Sequence, residues 1–260
     1  MKIGLVLLSG GLDSTTVAAL ALHEGYELSA LTVDYGQTHR QEVAAAQAVA
    51  ASLGVAHHIA SVEFFRQLAW YSALTSPDRY SAPVDRDSAA MAADIPITYV
   101  PLRNTFLLTL GAAALESRAL ALIEAGGADA RELSPTLFIA ANAIDYSGYP
   151  DCRPEFYRAA GETLRLGSKL GTQYGVRIEI RTPLIDKGKR EIVELGLALG
   201  APLDRTWSCY GPGPAPCGRC DSCELRAKGF AEAGAADPAL LRIGTAPRAA
   251  HARGGRATPR

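Results

Sequence analysis

The chain opens on a short apolar run, Lys2 to Leu8, that passes through Ser9-Gly10-Gly11 into a stretch rich in Ala, Leu and Val from Leu12 to Leu22. No other feature restricts the fold as much. The apolar run reads as a buried parallel strand and the stretch after it as a helix. A glycine turn at the C-terminal end of a strand, opening a helix, makes a phosphate site. The glycines let the backbone approach closely, free N–H groups at the helix start point at the anion, and the helix dipole favours negative charge. The plainer alternative is an ordinary Gly-Gly turn with Asp13 and Ser14 capping the helix. The coincidence of strand, Gly-Gly, Asp and hydroxyl cluster argues against it.

The spelling narrows the kind of phosphate site. G-x-x-x-x-G-K-[ST] is absent, and Gly10-Gly11 with Asp13 does not make G-x-G-x-x-G either. Ser9, Ser14, Thr15 and Thr16 supply hydroxyls for phosphate oxygens, and Asp13 supplies a carboxylate able to hold Mg²⁺ between them. The loop resembles the pyrophosphate loop of the ATP pyrophosphatases, which cleave ATP between its α- and β-phosphates and adenylate a substrate. On that resemblance Leu8, Ser9, Gly10, Gly11, Leu12, Asp13, Ser14, Thr15 and Thr16 bind the nucleotide.

Further along, Leu28–Val33 and Ala56–Ser61 read as strands, with an Ala-rich helix over Arg40–Leu53 between them. Ile97–Val100, Thr136–Ala141 and Val176–Thr182 also read as strands. Thr105–Ala125, Pro154–Leu170, Lys187–Leu199 and Glu224–Ala233 read as helices. The alternation predicts an α/β chain with a parallel sheet and helices on both faces. Ligands of such sheets sit beyond the C-terminal strand ends. That rule gathers Ser9–Ser14, Asp34–His39, and Arg103 and Asn104 around one crevice. Tyr71–Ala93 is polar and irregular, a candidate mobile loop over the site. His57-His58 reads as solvent-facing rather than as a ligand pair.

Four of the five cysteines fall together, as Cys209, Cys217, Cys220 and Cys223, in the pattern C-x7-C-x2-C-x2-C. Thiolates at this spacing can reach one ion, and four of them close a tetrahedral Zn²⁺ site with no open position, hence a structural one. An iron–sulfur cluster is the rival reading. The surrounding glycines and prolines offer little core, so metal would be the loop's main source of order. The fifth cysteine, Cys152, has no nearby base and reads as a packing residue rather than a nucleophile.

Length and charge fit these pieces. With 260 residues the chain holds one nucleotide-binding domain over residues 1–200, a zinc-binding region over 201–244, and a tail over 245–260 expected to be disordered. A net charge of −1 gives no global drive toward nucleic acid. Arg248, Arg253, Arg256 and Arg260 in the tail are the one local exception. No run of 18 apolar residues announces a membrane span, and the chain enters a strand at once without a secretory signal pattern. A cytoplasmic enzyme is expected, in which clustered cysteines are metal ligands.

Taken together, the motifs resemble the QueC family. The matching stretches are Ser9–Thr16, Asp34-Tyr35-Gly36-Gln37-Thr38-His39, Val100–Leu107, Asp145–Phe156, Thr182-Pro183-Leu184 and Thr206–Tyr210 with Cys217–Cys223. They run in order from residue 9 to 223. Asp145–Phe156 and the cysteine loop select this family among the ATP pyrophosphatases. The resemblance implies an adenine nucleotide alpha-hydrolase-like, Rossmann-like sheet. It implies ATP- and Mg²⁺-dependent conversion of 7-carboxy-7-deazaguanine and ammonia to 7-cyano-7-deazaguanine on the queuosine pathway, by adenylation of the carboxylate and then of the amide. The expected partners are these small molecules, with no membrane or nucleic acid, and the expected assembly is a homodimer. Asp13, Ser14 and Arg103 would be catalytic, with Arg103 or Lys187 adding positive charge at the phosphates. Arg103, Asn104, Asp145, Ser147, Asp151 and Arg153 would hold the substrate, Asp145 or Asp151 at its amidine edge and Arg153 on its carboxylate. Asp145, Asp151 and Arg153 could equally be turn or capping residues in a Gly/Pro-rich loop, whereas Arg103 and Asn104, just past an expected strand, stand at the crevice.

Two stretches depart from the family pattern, a longer Glu116–Pro135 link and the arginine-bearing tail. The rivals are another adenylating enzyme of this fold, acting on tRNA or a small acid, and a non-catalytic nucleotide- and zinc-binding module. Uncommitted reactive cysteines or a basic face would favour the tRNA enzyme, and the intact Asp13, Ser14 and Arg103 argue against the module.

Overall fold

A computed structural model describes residues 1–35, 40–81, 95–142, 149–211 and 213–243. Asp145 and Ser147, the Gly36–His39 half of the second motif, most of the Tyr71–Ala93 loop and the tail lie outside the described residues. The chain begins with strand β1 (Lys2–Leu7), helix α1 (Leu12–His23), β2 (Glu27–Asp34), α2 (Arg40–Leu53) and β3 (Ala56–Ser61). A short helix α3 (Phe65–Leu68) precedes α4 (Arg103–Leu120), which continues as a π-helical turn over Ala121–Ala125. Then come β4 (Ser134–Phe138), α5 (Pro154–Gly167), α6 (Lys169–Gln173), β5 (Glu179–Arg181), α7 (Lys189–Ala198), α8 (Asp221–Glu232) and α9 (Pro238–Ile243).

The five strands form one parallel sheet in the order β3-β2-β1-β4-β5. Side chains of a strand alternate between faces, and β1 from Ile3 and β2 from Leu28 to Val33 are buried on both, mostly as apolar residues, with the buried Ser29 and Thr32 hydroxyls donating to the Gly4 and Leu8 carbonyls. Ile3, Leu5 and Leu7 of β1 join Leu31 and Val33 in a core under α4 and α5. Val6 and Leu8 join Leu28, Ala30 and Phe138 in a second core under α1, α2 and α7. The helix α4 lies close to the sheet at Gly111, where a Cβ would come within 2.7 Å of Leu137. By length and composition the helix over Arg103–Ala125 could cross a membrane. Here Leu108, Ala112, Leu115 and Ala119 are buried against the sheet instead.

Three expectations are corrected. Ile97–Val100 is a turn, not a strand: Pro96 withholds a donor and its carbonyl accepts the Tyr99 N–H at 2.8 Å. Arg103 therefore starts a helix rather than following a strand. The strand expected over Val176–Thr182 keeps only the three residues that find partners on β4. The helix expected over Pro154–Leu170 breaks at Ser168, whose hydroxyl accepts the Gly171 N–H at 3.0 Å and caps α6. The long Glu116–Pro135 link resolves into the π turn, a short 3₁₀ turn at Ala130–Glu132, and Glu116 accepting the Leu170 N–H at 2.9 Å. His57 and His58 lie within β3, where His57 is half-buried and its ring meets the Thr32 hydroxyl at 2.8 Å.

β1 is flanked by β2 on one side and β4 on the other, and the chain leaves it in opposite senses. The crevice of such a sheet opens above that point. The loop from Leu8 to Ser14 stands there.

Candidate functional site

A cavity of about 310 Å³ opens above the C-terminal ends of β1, β2 and β4. Its floor is the turn between β1 and α1. Gly10 has φ +81°, and a Cβ there would fall 2.5 Å from the Glu42 carbonyl and 2.6 Å from the Ala46 nitrogen. Only glycine fits this turn. Ser9 and Ser14 are locked together, their hydroxyls 3.0 Å apart and the Ser9 N–H donating to Ser14 Oγ at 3.2 Å. Gly11 caps α1 without a side chain, so no side chain covers the first N–H groups of the helix. Six of the nine residues from Leu8 to Thr16, namely Leu8, Ser9, Gly11, Leu12, Asp13 and Ser14, form the wall of the cavity. Gly10 and the buried Thr15 and Thr16 stand behind them and shape the turn.

Asp13 is the most heavily engaged group. Its Oδ2 accepts from Asn142 Nδ2 at 2.7 Å and from Lys189 Nζ at 2.5 Å. Among the described residues, its Oδ1 is buried with no hydrogen-bond partner. A lone carboxylate oxygen of this kind has room in its chemistry for a cation or another donor. The lysine that reaches the cavity beside the glycine turn is Lys189, the first residue of α7. Lys187, two residues earlier, does not line the cavity. Asn142 follows β4 and Lys189 opens a helix, so both occupy positions the crevice rule favours. Neither lies in a recognisable motif, which is why sequence reading misses them.

The opposite wall is built at the start of α4. Leu102 sits in the left-handed region at φ 54°, and its N–H is held by the Tyr99 hydroxyl at 3.2 Å. This places Arg103 facing the cavity, hydrogen-bonded to Tyr35 at the end of β2. Burial opposes the charge of Arg103, but Tyr35, Tyr149 and Asp151 around it more than offset this and hold its pKa above the ordinary value. Burial in the same place raises the Tyr35 phenol. Glu42, in the first turn of α2, also lines the cavity. Burial there raises its carboxyl to about 7, with Arg103 opposing the shift.

The substrate-side residues divide. Asn104 is buried and lines the cavity, and its Nδ2 donates to the Asp151 carbonyl at 2.9 Å and to Cys152 Sγ at 3.2 Å. Asp151 is spent on structure. Its carboxylate accepts the Asn104 N–H at 3.1 Å and so caps α4. Arg153 is exposed and does not line the cavity. Of the substrate-side residues among the described ones, Asn104 and Arg103 line the cavity and Asp151 and Arg153 do not. Cys152 is buried and packed, as the absence of a base suggested.

The four cysteines Cys209, Cys217, Cys220 and Cys223 place their sulfur atoms within 4.8 Å of one another. Three are buried and Cys217 is exposed. Backbone N–H groups of Gly211 and Cys217 donate to Cys209 Sγ at 3.1 and 3.2 Å, and that of Cys220 to Cys217 Sγ at 3.4 Å. Donors aimed at sulfur favour thiolates, and the thiols of Cys220 and Cys223 with these N–H groups hold Cys209 well below the ordinary thiol range. The set fits one tetrahedral metal ion.

This cluster is tied to the phosphate loop. The Trp207 N–H donates to the Gly10 carbonyl at 2.9 Å, and its indole N–H donates to the Cys209 carbonyl at 3.0 Å. Arg226 of α8 holds the same segment, reaching Thr206 at 2.9 Å and Ser208 at 3.0 Å while forming a buried two-pronged pair with Asp237 at 2.6 and 2.9 Å. Gln41 of α2 reaches the Gly213 carbonyl at 2.7 Å.

Comparison with known proteins points one way. Residues 3–234 match the model of the family described as Queuosine biosynthesis protein QueC. A 7-cyano-7-deazaguanine synthase of Thermosynechococcus vestitus is 47% identical over 233 residues, covering 90% of this chain and 93% of that protein. Those of Thermoplasma acidophilum and Anaeromyxobacter dehalogenans are 46% and 48% identical, covering 91% and 90% of this chain and 91% and 93% of theirs.

Proposed function

The chain belongs to the QueC family, and from that membership we propose that it converts 7-carboxy-7-deazaguanine and ammonia to 7-cyano-7-deazaguanine at the expense of two ATP molecules. The observation that carries the reading is that the bare start of α1 and Arg103 face one cavity. A phosphate cradle and a buried cation then flank a space able to hold a nucleotide and a planar acid together.

The chemistry follows from these groups. A carboxylate is a poor electrophile, and transfer of AMP to it gives a reactive acyl adenylate. The N–H groups at the start of α1, the Ser9 and Ser14 hydroxyls and Lys189 meet the charge of the departing pyrophosphate. Mg²⁺ bound at Asp13 through its unpartnered Oδ1 would neutralise phosphate charge when present. Arg103, kept charged by Tyr35, Tyr149 and Asp151, takes the role of pairing with the substrate carboxylate that Arg153 is too exposed to fill. Asn104 fixes the wall beside it. With Asp151 accepting the Asn104 N–H, the family motif leaves Asp145 as the carboxylate for the amidine edge. Ammonia displaces AMP to give the amide, a second adenylation activates the amide oxygen, and its loss leaves the nitrile.

The four cysteines would hold a structural Zn²⁺, which orders the loop without entering the reaction. The test is to incubate the zinc-loaded protein with 7-carboxy-7-deazaguanine, ATP, Mg²⁺ and ammonium. AMP release that depends on the acid, with a product of nitrile mass, is the expected outcome. AMP formation with another acid and not this one would move the assignment to a different adenylated substrate.

A further inference from the structure

Between free ammonia and a nitrile, the nitrogen gives up three protons. The first leaves when the C–N bond forms and the acyl–O bond to AMP breaks. The second leaves as the amide oxygen takes AMP from ATP and pyrophosphate departs. The third leaves when the C–O bond to that second AMP breaks and the C≡N bond completes. Each proton needs an acceptor close to the nitrogen.

Two carboxylates line the cavity among the described residues, Asp13 and Glu42. Asp13 is held by Lys189 and Asn142 at the phosphate end. Among the described residues, Glu42 has neither hydrogen bond nor ion pair on its carboxylate. It projects from the first turn of α2, beside the phosphate turn, where its own carbonyl packs on Gly10. The charged and titratable groups around it are Arg103 from α4 and Tyr35 from the end of β2, with Asp34 acting on Tyr35 from the same strand end. Lys189 and Asp13 share the cavity from α7 and α1.

We propose that Glu42 is the catalytic base that takes protons from the reacting nitrogen, a role that rests on the nitrile-forming reaction above. Being raised to about 7, its carboxyl can accept a proton from an amine adduct and release it to water near neutral pH. Arg103 offsets the charge of the ionised form and pairs with the substrate's carboxylate oxygen, so a cation and a base line the same cavity.

The test splits the reaction in two. Acid-dependent exchange of labelled pyrophosphate into ATP reports adenylation before any nitrogen enters, and amide and nitrile formation with ammonium reports the proton-losing steps. Glu42→Gln is expected to keep exchange and the KM for the acid, while the ammonium-dependent rate falls about 10²–10⁴-fold. Hydroxylamine, whose adduct loses its proton far more readily, is expected to restore most of the capture rate. The wild-type ammonium step should fall as pH drops through about 7, where Glu42 protonates, and the Gln variant should lose that limb. Glu42→Asp should retain an intermediate rate with the limb present.

An equal loss with ammonium and hydroxylamine overturns the role. So does a raised KM for the acid at unchanged kcat, which would make Glu42 a reader of the base. Loss of exchange in Glu42→Gln would make it a nucleotide ligand. A wild-type protein without acid-dependent exchange would instead remove the reaction itself.

Discussion

The phosphate-loop half and the cysteine region are built on opposite physical grounds, although they meet at Gly10. Around the loop, β1, α1, β2 and α2 bury an apolar core that needs no ligand. The cysteine region between Thr206 and Cys223 has Ala45, Trp207 and the sulfur atoms themselves as its buried cluster. A loop of that kind would be held by the metal ion proposed at the four cysteines and by the Arg226–Asp237 pair. The apolar half carries the glycine turn, while the cysteine region supplies the Trp207 N–H that pins it. Order at the phosphate site is thus drawn partly from the region least able to order itself.

The largest effect expected is from removing the metal. Cys220→Ser, or chelation, takes away a binding free energy on the order of 10 kcal/mol that counts as folding free energy for such a loop. Amide exchange should become fast over residues 206–232 while β1 and α1 stay protected, and ATP binding should weaken as Gly10 loses its partner. Slow exchange retained over 206–232 would break the contrast between the two halves. Next comes Asp237→Ala, which leaves the Arg226 guanidinium buried without its carboxylate. Breaking one side of a buried pair costs about 3–5 kcal/mol. The thermal midpoint should drop accordingly, with zinc content preserved. An unchanged midpoint would mean that the metal alone orders the region.

Asp13→Asn tests the other half. It keeps the shape and the Asn142 neighbour but removes the charge paired with Lys189. Turnover should fall about 10²–10³-fold with little change in thermal midpoint, because the core of this half does not depend on that pair. A large loss of stability would place Asp13 among the supports of the fold instead.

The sheet was legible because its central strands are largely apolar and its first helices follow Ala-rich runs. The bounds of α2 and β3 follow from local pattern alone. The phosphate turn and the four cysteines were legible because their chemistry demands fixed residue types at short spacing. Ile97–Val100 was not, since a β-branched run next to Pro96 carries the composition of a strand and the backbone of a turn. Lys189, not named by any motif, lines the cavity because a two-residue shift at a helix start changes which side chain faces it, and no local pattern records that. Asp151 and Arg153 sit in a motif, yet a motif does not say which of its residues turn inward. Glu42 and Asn142 reach the cavity through tertiary placement.

Glu42 also gives the smallest predicted effect, and it lies at the seam between the halves, one residue from Gln41 and its bond to Gly213. Its carboxyl is raised from 4.5 to about 7 in the folded protein, mainly by burial. The folded state therefore holds this proton more tightly than the unfolded chain. Stability from this group is complete below about pH 4.5 and is lost as pH rises through about 7. Glu42→Gln removes the titration. The variant should match the wild type near pH 4 and exceed it by about 1–3 kcal/mol near pH 8, after allowing for the half-open position. Denaturant midpoints at the two pH values measure this. A protein that gains stability when it loses its base would show that the seam is strained for function, as active-site carboxylates held in partly apolar surroundings are. Equal midpoints at pH 8 would mean that water reaches Glu42 and that burial does not set its proton affinity.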